Sequence, residues 1–470
     1  MRRTVFATLA LLFACRPAPP IEANLAIVGA TVIDVATGET LPDRTVLVED
    51  DRIVRVAGAD DVEVPEGAEV VDATGSYLIP GLWDVHVHLT YDARFTEAMP
   101  GLFLRHGVTS IRDTGGLLEE MLPVVERMEA PGVRAPRVFF AGPLLDGERV
   151  VYDGENRPAL GIANPDPETA RANVARLAEA GVDFIKIYEL VTPEVFHALV
   201  AAAEERGLPR DGHVPLSMLA REVAPHVQSL EHLRNLEMDC AANADELLAA
   251  RRQILAEPAA EPGADLRARL HRLQRLPAVE AYDPDRCAET LAALTSTLQV
   301  PTLRLNALGL HSPFRRADFD AALEEIPQEV ARVWGEAARE AREAPPARDT
   351  VFGSWSLFLV GEMHEAGVPV GAGTDTPIGY AIPGYSLHSE LELLVEAGLS
   401  PREALRSATL RPAAFFGLDD RMGTVEVGRL ADLVLLGADP LADISNTRTV
   451  EAVVSRGELL TREELEELVR

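Results

Sequence analysis

The feature that most constrains the fold is a regular alternation of apolar runs and helical segments through the middle of the chain. Short Val/Ile-rich runs bounded by turn residues predict strands, and a cap residue before proline, as in Asp166-Pro167 and Thr192-Pro193, predicts the start of a helix. Strand-like runs occur at 81–88, 108–113, 137–141, 184–188, 208–213, 228–232, 299–305 and 368–375. Eight strand–helix units predict an α/β fold built on a parallel (β/α)8 barrel of the TIM type rather than on a doubly wound sheet.

The two ends of the chain differ from the middle in their sequence pattern. Alternating Val/Ile-rich runs lie at 25–34, 45–57 and 69–77, and similar short runs return at 423–427, 432–436 and 451–455. Such runs predict short antiparallel strands, so we expect the two ends to meet in one small β-sandwich. The predicted domains are therefore a sandwich formed by residues 25–80 and 421–470 and a barrel formed by residues 81–420.

Residues 237–298 are more than one connection between a strand and a helix requires. This segment is acidic, rich in Ala and Leu and helical in pattern, which predicts an insertion over the mouth of the barrel. A second helical stretch, 317–347, lies between the seventh and eighth strands. Cys240 and Cys287 lack the spacing of a metal site and do not predict a disulfide framework, so we interpret both as ordinary residues.

Residues 1–15 are typical of an export signal. Arg2 and Arg3 precede an apolar run, 5–13, that is too short to span a bilayer permanently. Residues 12–15 resemble a lipoprotein cleavage box, in which Cys15 would be the lipidated residue and 16–24 a linker. We therefore predict an exported lipoprotein of the periplasm or cell envelope that meets the membrane only through its lipid anchor. An ordinary cleaved signal peptide is the alternative.

Lys186 is the only lysine among the 44 Lys and Arg residues, and it lies in the apolar run 184–188. Burial of an unpaired charge is costly. A neutral amine can form a Schiff base or a carbamate, which a guanidinium group cannot. By itself, one isolated lysine is equally compatible with a composition biased towards arginine.

Six residues suited to metal binding fall at or near the carboxyl ends of the predicted strands: His86, His88, Lys186, His213, His232 and Asp375. Alternate residues of a strand share a face, so His86 and His88 point the same way and could ligate one ion. Barrel enzymes place their chemistry at this end of the strands. Imidazole combined with carboxylate suits zinc, manganese, iron or cobalt. Each residue alone has an ordinary structural explanation, whereas their conjunction predicts a metal site.

Longer motifs surround these residues: IPGLWDVHVH at 79–88, GVTSIRDTGG at 107–116, SLEH at 229–232, GAGTDTP at 371–377 and GTVEVGRLADLVL at 423–435. With the stretch 388–411, they make the chain resemble the amidohydrolase superfamily, in the branch that contains imidazolonepropionase-like and Xaa-Pro dipeptidase (prolidase)-like enzymes. The resemblance covers about residues 25–460.

This resemblance implies a hydrolase with two metal ions. The ligand sets it implies are His86, His88 and Asp375 for a buried ion, and His213 and His232 for an outer ion. It also implies that Lys186, carboxylated by CO2, bridges the two ions, and that Asp375 is the catalytic proton carrier. The expected cofactors are two divalent ions, with zinc as the first choice.

The fifth strand departs from the family pattern. Many relatives have a His-Ala-His-Gly-like stretch there, whereas this chain has DGHVP at 211–215, which retains His213 and changes its neighbours. We therefore expect the family fold and chemistry but leave the substrate open. Tyr152, Arg304 and His388 are candidate substrate contacts, and an Arg fork in particular suits a substrate carboxylate.

The predicted function is metal-dependent hydrolysis of an amide or peptide bond in a small, dipeptide-like substrate by metal-activated hydroxide. Cyclic-amide hydrolysis or deamination at the same site is one alternative, and a non-catalytic ligand-binding lipoprotein is another. The net charge of −31 argues against nucleic acid as a partner. The sequence leaves both a monomer and a homo-oligomer open.

Overall fold

The computed structural model describes residues 22–155, 157–257, 261–345, 347 and 350–470. The predicted signal peptide, its lipidation site Cys15 and most of the predicted linker lie outside the described residues. Within these ranges the strands are β1 (Leu25–Ile33), β2 (Thr40–Glu49), β3 (Arg52–Gly58), β4 (Glu69–Asp72), β5 (Tyr77–Pro80), β6 (Leu82–Val87), β7 (Val108–Asp113), β8 (Arg137–Phe140), β9 (Leu144–Asp146), β10 (Gly161–Ala163), β11 (Ile185–Ile187), β12 (Arg210–Gly212), β13 (Ser229–Glu231), β14 (Leu298–Val300), β15 (Leu433–Leu436), β16 (Val450–Ser455) and β17 (Glu458–Thr461).

The helices of the described chain are α1 (Ala93–Thr96), α2 (Met99–Arg105), α3 (Leu118–Met128), α4 (Pro167–Glu179), α5 (Pro193–Glu204), α6 (Ala220–Val223), α7 (Leu236–Asp239), α8 (Ala244–Ala256), α9 (Gly263–Glu280), α10 (Pro284–Leu294), α11 (Leu303–Asn306), α12 (Phe319–Leu323), α13 (Gln328–Glu343), α14 (Val351–Glu365), α15 (Tyr385–Glu396), α16 (Pro401–Ser407), α17 (Leu410–Phe415) and α18 (Arg462–Glu467). Several begin at the predicted caps. The side chains of Asp166 and Thr192 accept hydrogen bonds from backbone amides of α4 and α5, and proline occupies the first turn of each helix.

Both ends of the chain contribute to one eight-stranded sheet, with the order β17-β16-β15-β5-β1-β2-β3 and with β4 also paired to β1. The two ends join in the antiparallel pair β5–β15, where Leu433 lies opposite Pro80. Ile27, Val46 and Leu433 belong to one apolar cluster of this sheet. The chain at 423–427 is not a strand, contrary to the prediction. A two-layered sandwich stays a prediction, since the strand pairing describes one sheet.

The strands of the middle segment pair in parallel. β6, β7 and β8 form a three-stranded sheet, and the order β10-β9-β11-β12-β13-β14 forms a six-stranded sheet. Every residue of β6, β7, β11 and β13 is buried, as expected for parallel strands covered on both faces. The seventh predicted strand is shorter than expected, because β14 ends at Val300 and Arg304 lies in α11 instead.

The eighth predicted strand is extended chain that lies between the two parallel sheets. Isolated parallel bridges join it to β14 on one side and to β6 on the other. The Asp375 amide donates to the His86 carbonyl at 2.7 Å. Gly373 permits this approach, because a Cβ at that position would lie 2.7 Å from the Cβ of His86. Closure of all eight strands into one barrel stays a prediction.

Helices α7 to α10 lie between β13 and β14, in the segment predicted as an insertion. Gly263, at the start of α9, packs so closely that a Cβ there would lie 2.4 Å from the carbonyl oxygen of Val150, in the loop after β9. Our interpretation of Cys240 and Cys287 as ordinary residues is wrong, because the structure joins them in a disulfide. The two cysteines are 47 residues apart, and helices α8 and α9 lie between them. Their spacing in the sequence does not show that the chain folds back and brings them together.

The largest apolar cluster connects strand residues such as Leu82, Ile111 and Ile187 with helix residues such as Leu199 and Leu391. This core fixes the positions of the strand ends, on which the candidate site is built. Among the described helices, none has both the length and the apolar character needed to cross a membrane.

Candidate active site

The six residues predicted as metal ligands line one cavity of about 180 Å³. Lys186 lies in β11, His213 follows β12 and His232 follows β13, so these side chains come from neighbouring parallel strands. The structure therefore brings all six to the carboxyl ends of the strands. We describe the cavity as two walls. The strand wall comprises His86, His88, Lys186, His232 and Asp375. The insertion wall comprises the lining residues His213, Arg234 and Arg267, with Glu189, which contacts all three, and His271, which contacts Glu189.

In the strand wall, two histidines of one strand converge on one carboxylate. The Nε2 atoms of His86 and His88 lie 3.3 and 3.2 Å from Oδ1 of Asp375. The rings of His86 and His232 are 4.4 Å apart between centroids. One ligand atom from each of His86, His232 and Asp375 lies within 4.8 Å of the others. These three buried residues therefore form a cluster that could hold a metal ion.

The protonation states of His232 and Asp375 in this cluster suit a cation. His232 Nδ1 is buried and has no hydrogen-bond partner in the described chain, which is unusual for a buried polar atom. Burial, together with the neighbouring His86, lowers the pKa of His232 well below its ordinary value, so the ring is neutral at pH 7. Burial would raise the pKa of Asp375, but His232, His86 and His88 lower it well below its ordinary value. Neutral imidazole and ionised carboxylate are the forms that bind divalent metals.

The backbone at this cluster is held in an uncommon conformation. Asp375 and His232 have φ values of 60° and 58°, in the left-handed region that non-glycine residues rarely adopt. Asp84 of β6 holds the segment before Asp375, because its carboxylate accepts from the Thr374 amide at 3.0 Å and from the Thr374 hydroxyl at 2.6 Å. Burial raises the pKa of Asp84 to about 7.

Glu231 is a buried carboxylate behind His86 that our sequence analysis overlooked. Its Oε2 lies 2.5 Å from His86 Nδ1, and its Oε1 accepts from Arg112 at 2.5 Å. Burial would raise the pKa of Glu231, but Lys186 and Arg112 lower it well below its ordinary value. Burial lowers the pKa of His86, yet Glu231 and Asp375 outweigh this and raise it to about 8. Glu231 thus orients the His86 ring from behind, as carboxylates do for metal-binding histidines.

Lys186 is enclosed by two carboxylates. Its side chain is 1% exposed, and its Nζ donates to Asp211 Oδ2 at 2.8 Å and lies 3.9 Å from Glu231 Oε1. Burial and the neighbouring Glu231 raise the pKa of Asp211 to about 6, although the positive charge of Lys186 lowers it in part. The cost of burying the ammonium group is therefore offset by charges on β12 and β13.

Glu189 is the centre of the insertion wall. Its Oε1 lies 2.7 Å from His213 Nδ1 and accepts from Arg267 Nε at 2.9 Å, and its Oε2 lies 2.9 Å from His271 Nε2. Burial would raise the pKa of Glu189, but Arg267, His271 and His213 lower it well below its ordinary value. Arg267 and His271 belong to α9, so the insertion reaches the residue that orients His213.

Both histidines of the insertion wall are neutral at pH 7. Burial lowers the pKa of His213 to about 3, although Glu189 opposes the shift. The pKa of His271 is lowered to about 3 in the same way. A neutral His213 held at Nδ1 by a carboxylate has the form of a metal ligand.

The three candidate substrate contacts lie in different places. Tyr152 lines the cavity. Arg304 does not, because its guanidinium donates to the carbonyls of Thr374 and Ile378 at 3.1 and 2.7 Å and thereby holds the loop around Asp375. His388 is fully buried and contacts the Thr447 hydroxyl at 2.9 Å, away from the cavity. The structure therefore gives no substrate contact for Arg304 or His388.

Our sequence analysis also missed Glu189, Arg234 and Arg267. One signal was present for the helix: Arg267, His271 and Arg275 recur every four residues and so share one face of α9. No comparable signal pointed to Glu189, because its partners lie far away in the sequence.

Comparison with known proteins gives concordant matches. Residues 357–460 match the amidohydrolase family. An imidazolonepropionase from Symbiobacterium thermophilum is 28% identical over 449 residues, which covers 90% of this chain and 91% of that protein. Adenine deaminase 1 from Carboxydothermus hydrogenoformans is 30% identical over 222 residues, which covers 44% of this chain and 35% of that protein.

Solved structures agree with these matches. A bottromycin amidohydrolase is 25% identical with a TM-score of 0.70, over 94% of this chain and 88% of that chain. A Xaa-Pro dipeptidase with bound methionine in the active site has a TM-score of 0.65 at 18% identity, over 93% of this chain and 99% of that chain, a likeness of fold. Together, these matches make the chain similar to amidohydrolases and show that it is a hydrolase that acts on carbon–nitrogen bonds.

Proposed function

We propose that this protein is a metal-dependent hydrolase that cleaves an amide or peptide bond in a small, dipeptide-like substrate. The observation that carries the proposal is the convergence of His86, His232 and Asp375 within 4.8 Å in a cavity that also contains Lys186 and His213. Divalent metals are general in the amidohydrolase superfamily, and the His/Asp cluster is a donor set that suits them.

In the two-ion form of this proposal, the ligands divide between the walls. His86, His88 and Asp375 would hold the inner ion, and His213 and His232 would hold the outer ion. Zinc is the metal we propose, and Lys186 carboxylated by CO2 would provide a ligand shared by both ions. A carbamate would place a further negative charge beside Asp211 and Glu231, so we expect carboxylation only together with the binding of divalent cations.

When bound, the ions supply Lewis-acid activation of water and of a carbonyl group. Asp375 supplies proton transfer: its carboxylate accepts a proton from the attacking water and delivers it to the leaving amine. Glu231 and Glu189 hold His86 and His213 in place during the reaction. The net reaction is the addition of one water across one amide bond, with release of an acid and an amine.

The similarity to imidazolonepropionases and adenine deaminases supports a second candidate, which is cyclic-amide hydrolysis or deamination by the same residues. The products separate the candidates. Dipeptide hydrolysis releases free amino acids, ring opening yields one acid without a second fragment, and deamination releases ammonia.

We also propose that the strands of the middle segment close into a (β/α)8 barrel and that the protein is an exported lipoprotein anchored at Cys15. The likeness to amidohydrolase structures supports the barrel. The composition of residues 1–15 supports export. Lipidation would be tested by incorporation of labelled palmitate, which Cys15→Ser should abolish.

The first experiment measures metal content per chain by elemental mass spectrometry after reconstitution with zinc and bicarbonate. About two ions per chain, falling to about one in Lys186→Ala, would support the bridged pair. Activity of Lys186→Ala should return in part when a short-chain carboxylic acid is added. Full activity and two ions in Lys186→Ala without added acid would contradict the bridge.

A further inference from the structure

A second cavity, separate from the active-site cavity, lies between α11, the chain at 310–316 and α15. Its volume is about 280 Å³, against about 180 Å³ for the active-site cavity. In the described chain, the two cavities share no lining residue. The larger volume corresponds to on the order of nine water molecules, at about 30 Å³ each in the liquid. The second cavity is therefore large enough for a small organic molecule.

A buried cation without an anionic partner lines the second cavity. Arg304 is 5% exposed, and its guanidinium donates to the backbone carbonyls of Thr374, Ile378 and Gly379. In the part of the chain that the structure describes, all of its hydrogen bonds go to carbonyls and none goes to a carboxylate. Burial lowers the pKa of Arg304 to about 10, although Asp375 opposes the shift, so the group is charged at pH 7. Such a guanidinium is suited to bind an anion.

The carboxylates that line the second cavity already have partners. Glu392 pairs with Arg316 at 2.6 Å and with Arg448 at 2.7 Å. Glu396, which is exposed, lies 3.0 Å from Nε2 of His311. The buried charge that lacks an opposite partner is therefore the guanidinium described above. Because like charges repel, the two carboxylates also disfavour an occupant with more than one negative charge.

The remaining lining residues suit the apolar part of a ligand. Leu310, Pro313 and Leu393 line the second cavity together with Ser386. Ser386 Oγ accepts from the Ile382 amide at 2.9 Å, which leaves its hydroxyl proton available for donation. Leu310 is 39% exposed, so the second cavity is open to water beside it. A single carboxylate joined to a short apolar chain would match these groups, with its charge at the guanidinium and its chain against the leucines.

Arg304 connects the second cavity with the chain at 374–379, which we call the Asp375 loop. The three carbonyls that it binds lie one residue before Asp375 and three and four residues after it. Asp375 has a φ of 60°, a conformation that persists only where the surrounding contacts maintain it. A carboxylate can bind guanidinium through two parallel N–H bonds, which a single carbonyl cannot do. A carboxylate in the second cavity would therefore compete with the Asp375 loop for the N–H groups of Arg304.

We propose that the second cavity is a regulatory site for a small monocarboxylic acid with an apolar chain, whose carboxylate is bound by Arg304 and Ser386. Binding draws the Arg304 guanidinium away from the Asp375 loop and lowers kcat. The binding itself does not depend on the reaction, whereas the effect on kcat rests on the hydrolysis proposed above. Hydrolysis of an amide releases a carboxylic acid, so one product of that reaction belongs to the class of ligand that this site takes.

The first test measures binding to the zinc-loaded protein by calorimetry, with 4-methylpentanoate and the uncharged 4-methylpentanamide as probes. We expect the acid to bind about 30-fold more tightly than the amide, because the amide leaves the buried guanidinium without an anion. Leu310→Glu places a second negative charge beside the bound carboxylate and should weaken binding of the acid by at least about 10-fold. Leu273→Glu, on the exposed face of α9, is the matched control and should bind the acid as the unchanged protein does.

A carboxylate can also bind to metal ions, and the same variants separate the two places. Binding of the acid that is unchanged in Leu310→Glu would overturn the proposal, and its loss when a chelator removes the zinc would place the acid at the metal cluster instead. Equal Kd values for acid and amide in the unchanged protein would overturn the proposal as well.

The second test measures the effect on turnover of a substrate that the protein cleaves. The acid at saturation should lower kcat by about 10-fold and leave KM within about two-fold, because it displaces the loop that holds the proton carrier. Leu310→Glu should keep the rate of the unchanged protein and lose this sensitivity. Inhibition that raises KM alone, to the same extent in both proteins, would overturn the regulatory role. If no substrate is cleaved, the proposed hydrolysis fails instead, and calorimetry alone decides whether the site exists.

Discussion

The two walls of the cavity are built in different ways. The strand wall consists of residues at the ends of parallel strands, and its charges are offset by Asp211 and Glu231, which lie on those same strands. The insertion wall depends on α9, which reaches over the cavity from a segment that the disulfide between Cys240 and Cys287 holds together. Arg267 and Glu189, which bond to one another across this wall, are 78 residues apart.

This difference means that the parallel strands fix one wall of the cavity and the inserted helices fix the other. The strand wall contains five of the six candidate metal ligands, all except His213, and its supporting carboxylates lie in the core. The insertion wall contains Arg234, whose buried Nε has no hydrogen-bond partner in the described chain, and its support comes from helices outside the parallel strands. We therefore expect damage to the strand wall to abolish catalysis or folding, and damage to the insertion wall to lower the free energy of unfolding to a smaller extent.

The largest effect is expected from Asp375→Asn, which keeps the size of the side chain and removes its charge. Loss of the proton carrier should lower kcat by about 10³-fold. Circular dichroism and metal content, measured on the same preparation, should show a folded protein that retains most of its metal. Full turnover by this variant would contradict the assigned proton transfer.

The next largest effect is expected when the supporting carboxylates Glu231 and Glu189 are each replaced by glutamine, which removes the charge and keeps the size. Glu231→Gln leaves Arg112 and Lys186 without this partner, and both are almost fully buried. Its free energy of unfolding should fall by about 3–5 kcal/mol in urea titrations. Glu189→Gln should cost about 1–3 kcal/mol, because Arg234 and Arg267 retain access to water. Equal losses in the two variants would contradict the difference between the walls.

Removal of the disulfide should act on the insertion wall alone. In the double variant Cys240→Ser/Cys287→Ser, the free energy of unfolding should fall by about 2–4 kcal/mol, since the bond closes a loop of 47 residues. The ion held by His86, His88 and Asp375 should be retained, because these ligands lie in the strand wall. Stability would be compared in urea with and without reductant. A double variant that loses both ions would contradict the independence of the strand wall.

The smallest expected effect is a change in acid sensitivity through His271. Its pKa is about 3 in the folded protein and about 6.5 when unfolded. Between these values the unfolded chain binds a proton that the folded protein does not, so stability falls as the pH drops below 6.5. From pH 6.5 to pH 5 the loss is about 2 kcal/mol for this one group.

His271→Asn should remove that contribution. Urea midpoints measured at pH 7, 6 and 5 should decline less steeply than those of the unchanged protein. His364→Asn, in α14 and outside the insertion wall, provides the control for exchanging a histidine for an asparagine. An identical slope in His271→Asn would mean that His271 does not titrate between the two states.

The six candidate ligands were predicted because their pattern is local. Alternation along a strand places His86 and His88 on one face, and the parallel arrangement brings the strand ends together. The residues behind the ligands were not predicted. Glu231 was present in a recognised motif, yet its contact with His86 joins residues 145 apart, and no period in the sequence encodes such a contact.

Local patterns also predicted some elements wrongly. The run 299–305 has the composition of a strand, but Thr302 adopts a φ of 50° and the chain turns into α11, so Arg304 holds the loop near Asp375. The run 368–375 was predicted as a strand, but the chain there makes isolated parallel bridges to β14 and β6 instead of a full ladder.

The sequence by itself determined the order of strands and helices, the meeting of the two chain ends in one sheet and the six residues that line the cavity. Each of these follows from spacing along one element or from the rule that parallel strands end together. Only the tertiary structure decided that Cys240 bonds to Cys287 and that Arg267 bonds to Glu189, because these contacts depend on how α8 to α10 fold back over the strands. The charge of the cavity was decided in the same way, since it depends on which arginines lack a carboxylate partner.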